Sequence, residues 1–331
     1  ASVEVGWKSM LYLTLTGRND WASQLANSST PCFFYPSVGL SGVISEMLTL
    51  PEFIDYMKVR GSFSSVGMPY PRNLTSPTYE YDEANQQWKP KTHYPIKDLK
   101  PERTNSWELG LDMRLFKDFS LGFSWYLANT FNQTFDPKVS VSSGYSKIYL
   151  QTGYVRNSGV ELSLGYGHTW NNHLHWESNF TLSHNKNTIK DLVTSYIHPE
   201  TGLPITQNRL DVGGLGKARF ILKKGGTLGD LYTQSDLKRD NSGMVEIDPS
   251  GALTTEDNLP DIKLGSVFPK ANLAWNNRFE WRGISLSALF TARIGGIAYS
   301  ATQAAMDQYG VSERSAQARD NGGVLLNGRT L

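Results

Sequence analysis

Residues 106–131 alternate apolar and polar side chains in two runs joined by a polar turn. Trp107, Leu109, Leu111, Met113 and Leu115 take every second position, with Glu108, Gly110, Asp112 and Arg114 between them. After Lys117-Asp118, Phe119, Leu121, Phe123, Trp125 and Leu127 alternate with Ser120, Gly122, Ser124 and Tyr126. Successive side chains of a strand point to opposite faces, so a hairpin with one apolar and one polar face is predicted. A soluble sandwich and a membrane barrel both show such alternation. The polar face mixes paired charges with glycines, as a water-filled lumen does, and the aromatics gather near strand ends, where a lipid interface lies. Both features favour an all-β, transmembrane antiparallel β-barrel.

The same period recurs along the chain. A first strand is expected over residues 5–17, with Trp7, Leu11, Leu13 and Leu15 outward and Gly17-Arg18-Asn19-Asp20 ending it. Further strands are expected over 34–44 and 57–64, with a short helical turn in 46–56. A second hairpin turns at Asn171-Asn172-His173 and a third at Arg282-Gly283. Arg60, Glu161, Glu177, Arg278 and Arg293 fall on the polar face with Glu108, Asp112 and Arg114, and are expected to line the lumen. Trp170, Trp176 and Trp281 sit beside the short turns and are expected to form an interfacial girdle. Residues 68–105, 131–146 and 185–269 lose the period. Short and long connections therefore alternate, as in barrels with short periplasmic turns and long extracellular loops. About nine or ten strands are expected. Open strand edges do not persist in lipid, so a partial barrel needs partner strands from sequence outside this chain.

Mean hydropathy is −0.39, which for a barrel carries little weight because only alternate residues meet lipid. No apolar run reaches the roughly 18 residues of a membrane helix. The formal charge of +1 over 331 residues gives no global field pointing to nucleic acid. Cys32 is the single cysteine, which excludes an internal disulfide and a cysteine-rich metal site. Phosphate-loop, His-x-x-x-His and Gly-x-Ser-x-Gly patterns are missing. His175 and Glu177 share one strand face and read as lining residues. No catalytic residue, metal ligand or cofactor is expected, and the protein is not expected to be an enzyme. Residues 1–7 carry no signal peptide, and 328–331 follow a polar loop without a closing strand. An internal piece of a larger protein is the expectation.

The segment LKPERTNSWELGLDMRLFKD (99–118) resembles the LKPE-x-T-x-SWE-x-G segment of SusC/RagA-type TonB-dependent transporters of Bacteroidetes. TGRND (16–20), FYPSVGLSGVISE (34–46), MKVRGSFSSVG (57–67), VRNSGVELSLGY (155–166), GDLYTQSD (229–236) and FPKANLAWNNRFEWRGISLSALFTARIGG (268–296) match in the same order. The resemblance covers most of the chain. It implies that residues 1–331 belong to one barrel domain of 22 strands whose plug and last strands are not in this sequence. It also implies a bacterial outer-membrane location, energy from a TonB complex and a SusD-like surface lipoprotein as lid. The cargo implied is an oligosaccharide in most members and a peptide in others. In relatives the stretch after the GDLYT-like motif often reads as an Asp-x-Asn-x-Asp-Gly calcium loop. Here Lys238 stands between Asp236 and Asp240, and an ammonium there repels a cation.

Within 68–105, six prolines and several aromatics mark an ordered, functional loop. Tyr79, Tyr81 and Trp88 are the candidate contacts to substrate or lid. The competing functions are a passive porin or barrel adhesin, and a soluble extracellular glycan-binding β-sandwich.

Overall fold

The computed structural model describes the chain except residues 26–27, 29–30, 71–78, 91–92, 95–99, 136–146, 171–172, 198–203, 328 and 331. It divides into two compact units. The first holds residues 1–210, 222–227 and 269–295. Its body is one ten-stranded antiparallel sheet in which every strand pairs with the next of the ten in chain order. The strands are β1 (Ser2–Trp7), β2 (Leu11–Trp21), β3 (Cys32–Val43), β4 (Ile54–Met68), β5 (Glu102–Leu115), β6 (Phe119–Phe135), β7 (Leu150–Trp170), β8 (Leu174–Asp191), β9 (Ala271–Trp281) and β10 (Ile284–Ile294).

Several boundaries differ from the sequence reading: the strand expected over 57–64 spans Ile54–Met68, the helical turn expected in 46–56 is Ile44–Met47, and β5 and β6 extend into the expected loops. Three more differences concern how strands divide and end. The first strand is two strands: Trp7 pairs with Leu11 around a turn at Lys8-Ser9-Met10. Leu11 comes four positions after Trp7, so parity is kept across the turn and the apolar alternation runs through it unbroken. Lys8 and Ser9 take positive φ, as do Phe116 and Lys117 and then Arg282 and Gly283. This left-handed geometry matches the twist of tight hairpins. Second, Gly17-Arg18-Asn19-Asp20 does not end a strand. It continues β2 to Trp21, paired with Cys32–Pro36 of β3. Third, β8 runs on through Asn185 to Asp191, because its ladder with β7 extends that far.

Positions in register fall into rows that cross the sheet. One row runs Leu11, Gly42, Val59, Leu111, Phe123, Leu162, Leu182, Leu273, Ala292. The next toward the short turns contains Met57, Met113, Leu121, Leu164, Phe180, Trp275 and Phe290. No other layer covers this face: Trp275 and Phe290 of the second row are 47% and 60% exposed, and Trp107, Leu109 and Leu286 in other rows of the same face are 53%, 56% and 67%. In a soluble sandwich this face would be the core. Ten strands of bare apolar surface are stable only against lipid, so the sheet is transmembrane barrel wall and the soluble-sandwich reading is overturned.

Where the short turns emerge, aromatics extend the expected girdle. Phe53 stacks on Phe116 (5.5 Å), Phe119 meets Tyr166 (4.7 Å), Tyr166 meets Trp176 (5.2 Å), and Trp176 stacks on Phe279 (5.7 Å). Lys8 lies over the Trp7 ring and Arg282 over Trp281. The buried core of this unit sits at the opposite, long-loop end, in Tyr70, Phe135, Val155, Ile189, Leu192 and Val193.

The second unit holds residues 211–221, 228–268 and 296–331. Ala218, Ile221, Leu231, Tyr232 and Val245 are buried there. The long excursion read over 185–269 contains a sheet of Arg209–Leu215, Ala218–Lys223, Asp230–Thr233 and Ile262–Ser266. The expected polar loop toward residue 331 holds two helices, α1 (Ala301–Gln308) and α2 (Glu313–Asp320), capped by the Ser300 and Ser312 hydroxyls. These serine caps were the readable signal.

Leu182 and Thr181 are neighbours on opposite faces of β8. Leu182→Arg is expected to cost about 2–4 kcal/mol of folding into bilayers and Thr181→Arg less than about 1 kcal/mol. Comparing their refolding yields in lipid vesicles checks this.

Candidate functional site

The polar face is organised by the same register. One row runs from β4 to β10 through Arg60, Gly110, Ser124, Glu161, Ser183, Asn272 and Arg293. The row beside it is Lys58, Asp112, Gly122, Ser163, Thr181, Ala274 and Thr291. Apart from Lys58 and Gly110, the members of both rows line an open cavity of about 510 Å³. Four charged residues singled out from sequence, Arg60, Asp112, Glu161 and Arg293, meet at this cavity. Its uncharged liners Ser124, Ser163, Thr181, Ser183, Asn272 and Thr291 were legible by the same parity, but a search for charge passes over them.

Arg60 is the hub. Its Nη1 donates to Asp112 Oδ2 at 2.6 Å and its Nη2 to Ser124 Oγ at 2.6 Å, with Glu108 at 3.5 Å. Three strands are thus tied by one guanidinium, whose fork reaches two partners at once. Gly110 makes this geometry available. A Cβ there would lie 2.5 Å from Arg60 Cζ and 2.8 Å from its Cγ, so the side chain lies flat across the bare backbone. Gly122 does the same for Ser163 Oγ, 2.5 Å from where its Cβ would be.

The other charged residues stand nearer the short turns. Arg114 is exposed, in register with Tyr56 and Ser120. Glu177 and Arg278 are cross-strand partners in register. Glu177 accepts from Asn179 (2.8 Å), while Arg278 pairs with Glu280 on its own strand. His175 bonds Thr169 (2.9 Å) and is not joined to Glu177.

Within the long loop after β4, Tyr79–Asp82 and Gln87–Pro90 form a small hairpin. Asp82 closes its turn by accepting from the Ala84 and Asn85 amides. Tyr81 and Trp88 face each other across it, ring centres 5.2 Å apart, and are 47% and 67% exposed. The Tyr79 side chain lies outside the described residues; its backbone pairs with Pro90.

The family described as TonB dependent receptor-like, beta-barrel matches residues 1–235. The chain belongs to that family. Barrels of the TonB-dependent receptor family reside in the bacterial outer membrane, and the family consists of receptors and transporters. TonB-dependent receptor P39 of Formosa agariphila is 24% identical over 268 residues, covering 77% of this chain and 23% of that protein. The structure of the RagAB peptide transporter aligns with a TM-score of 0.67 at 19% identity, covering 87% of this chain and 32% of that one. The outer membrane transporter YddB from Escherichia coli aligns with a TM-score of 0.50 at 11% identity, covering 91% and 34%. The chain thus spans about a quarter to a third of the length of these proteins.

In this receptor chain, the segment compared above with a calcium loop folds as an eight-residue repeat. Leu237, Val245 and Leu253 recur at that spacing, as do Asp240, Asp248 and Glu256. Three amides eight residues apart close a ring: Glu246 donates to Lys238 O, Lys238 to Thr254 O, and Thr254 to Glu246 O. Asp240 Oδ1 accepts from Ser242 N (2.8 Å), Ser242 Oγ (2.6 Å) and Met244 N (3.0 Å); Asp248 takes the equivalent donors from Ser250 and Ala252. Lys238 pairs with Glu246 at 2.7 Å. The period was visible as two copies of Asp-x-Ser-Gly, which a search for calcium-loop spacing reads only once.

The Ser242 hydroxyl, then the Met244 amide, holds the Asp240 carboxyl below its usual range, and the Ser250 hydroxyl and Ala252 amide do so for Asp248. A depressed value in the folded state makes these turns fully supported above the ordinary aspartate value, about 3.9. Support is lost as pH falls through the depressed value. Carboxyl NMR titration is expected to find Asp248 below ordinary aspartates, and Ser250→Ala is expected to move it back upward. At Gly110, alanine is expected to push Arg60 off Asp112 and cost about 1–3 kcal/mol. Gly167→Ala, with nothing within 4 Å of its Cβ position, is expected to stay within about 0.5 kcal/mol. Heat-modifiability of the refolded receptor measures both.

Proposed function

We propose that the complete protein imports an oligomeric nutrient across the outer membrane, driven through TonB and capped on the cell surface by a SusD-like lipoprotein. The polar face of the sheet, including Arg60, Glu108, Asp112, Arg114, Glu161, Glu177, Arg278 and Arg293, lines the lumen through which the cargo passes. The cargo is an oligosaccharide or a peptide. The observation that carries this reading is the register-matched polar belt from Arg60 to Arg293 behind a lipid-facing wall. Its cavity of about 510 Å³ falls in the range of ligand sites. Serine and asparagine side chains interleaved with both signs of charge suit a cargo rich in hydroxyls or amides better than an apolar one. The family to which the chain belongs, and the likeness to a structure described as a peptide transporter, support active import over a passive porin or an adhesin.

The hairpin after β4 emerges at the long-loop end of the wall, which is the extracellular end when short turns are periplasmic. Tyr81 and Trp88 are exposed there on a rigid two-stranded support and would contact the cargo or the lid, with Tyr79 beside them on the same strand. Flat rings held in place lose little entropy on binding and stack on sugar or peptide faces. Tyr81→Ala/Trp88→Ala is expected to leave barrel assembly intact and to reduce uptake or lid retention roughly tenfold, the effect of losing an aromatic anchor worth about 1–2 kcal/mol. Growth on the cognate nutrient and co-purification of the lipoprotein are the measurements. Wild-type values for both would remove this hairpin from the site.

A further inference from the structure

The charges around the luminal cavity are not evenly matched. Arg60 is bonded to Asp112 at 2.6 Å and lies 3.5 Å from Glu108, so two carboxylates answer one guanidinium. Glu161, the cavity's other carboxylate, is placed differently. It is exposed and, among the described residues, makes no hydrogen bond and no ion pair. Its partners in register are Ser124 of β6 and Ser183 of β8, both neutral. Ser124 Oγ already accepts from Arg60. Arg293 lines the same cavity but belongs to β10, three strands away and about 14 Å along the wall at the usual strand spacing. The electrostatic neighbour of Glu161 is the neutral phenol of Tyr126, whose hydroxyl reaches across Gly159, two residues earlier on the same face of β7. The Glu161 charge is therefore left uncancelled.

The surroundings of this carboxylate narrow what it can take. Its two oxygens offer about four acceptor sites. The Ser163 and Ser183 hydroxyls, which line the same cavity, can accept as well. A divalent cation such as calcium takes about six oxygens or more, commonly from several carboxylates. No three His, Cys, Asp or Glu side chains come together among the described residues. A primary ammonium fits better: it is a compact point charge with three donors and needs only one carboxylate and one or two neutral acceptors. Charge-assisted hydrogen bonds of this kind are the strong ones, so the group can discriminate between cargoes.

We infer that Glu161 is a subsite for a primary ammonium group of the cargo and selects amine-bearing oligomers over their acylated counterparts. Peptide amino groups and amino sugars share this chemistry. The inference rests on the import reading above and narrows it.

The test uses the full-length receptor in mild detergent, with native mass spectrometry reading the oligomers retained. The probes are a Lys-C digest of casein, chitosan oligomers, and each of these after N-acetylation, which removes the amine charge and keeps the chain length. Wild type is expected to retain at least one amine-bearing pool about tenfold more than its acetylated form, and the pool retained identifies the source of the amine. Glu161→Gln is expected to lose that preference while still retaining oligomers, and Glu161→Asp to keep part of it. Heat-modifiability confirms that each variant is folded before it is compared. Equal retention of amine-bearing and acetylated pools by wild type, or an unchanged preference in Glu161→Gln, would overturn the ammonium subsite and leave the import reading standing. Retention of no pool by wild type would overturn both. Carbodiimide coupling of Glu161 to one of the receptor's own lysines, with no oligomer present, would also overturn the subsite, because the carboxylate would then serve the receptor itself.

Discussion

The hydrogen-bonded ladder of the ten strands is the constraint on which everything else depends. In hydrocarbon an unpaired backbone amide costs several kcal/mol, so a wall without helices must pair each strand along its whole membrane span. The long ladders of β5 with β6 and of β7 with β8 meet this demand, running 13 and 17 paired positions. Once strands are paired in register, each side chain's face and its row are set together. Rows, rather than single residues, are therefore the functional units of this chain.

The two faces use their rows differently. Outward rows carry leucine, phenylalanine and tryptophan and end in aromatics beside the short turns, where Lys8 and Arg282 lie over Trp7 and Trp281. Inward rows hold charge in a wet setting, where a pair such as Arg60–Asp112 is oriented rather than strongly stabilising. Glycine has a distinct use on each side. Gly110 and Gly122 let polar side chains lie flat against the wall, whereas Gly61 opens a slot among apolar ones. Packing of the ordinary globular kind is confined to the long-loop end and to the second unit. There, the ring of amides at Lys238, Glu246 and Thr254 and the serine-bound Asp240 and Asp248 support short turns without a large apolar core.

Much of the wall was legible because strand parity is a local property. Alternation at Trp107–Leu115 and Phe119–Leu127 put these residues of β5 and β6 on the faces their ladder gives them, and Trp170, Trp176 and Trp281 fell beside the short turns as read. Where that reading failed, parity was uninformative. The turn at Lys8–Met10 keeps the phase of its flanking strands, so one strand was seen where two exist. Polar strand ends such as Gly17–Trp21 and Asn185–Asp191 leave the lipid zone and lose the apolar signal while their ladders continue.

Sequence alone determined which side chains share a face, because the period of two is built into the extended backbone. It also determined the family, through ordered motifs along most of the chain. The tertiary structure decided which residues meet across neighbouring strands. That Arg60 of β4 meets Asp112 and Ser124, and that Asn105, Asn129 and Arg156 share a row, depends on how far each strand slides against its neighbour. Register of this kind arises from hydrogen bonds between segments tens of residues apart. A one-residue slip would exchange the two faces, and no local pattern records the choice.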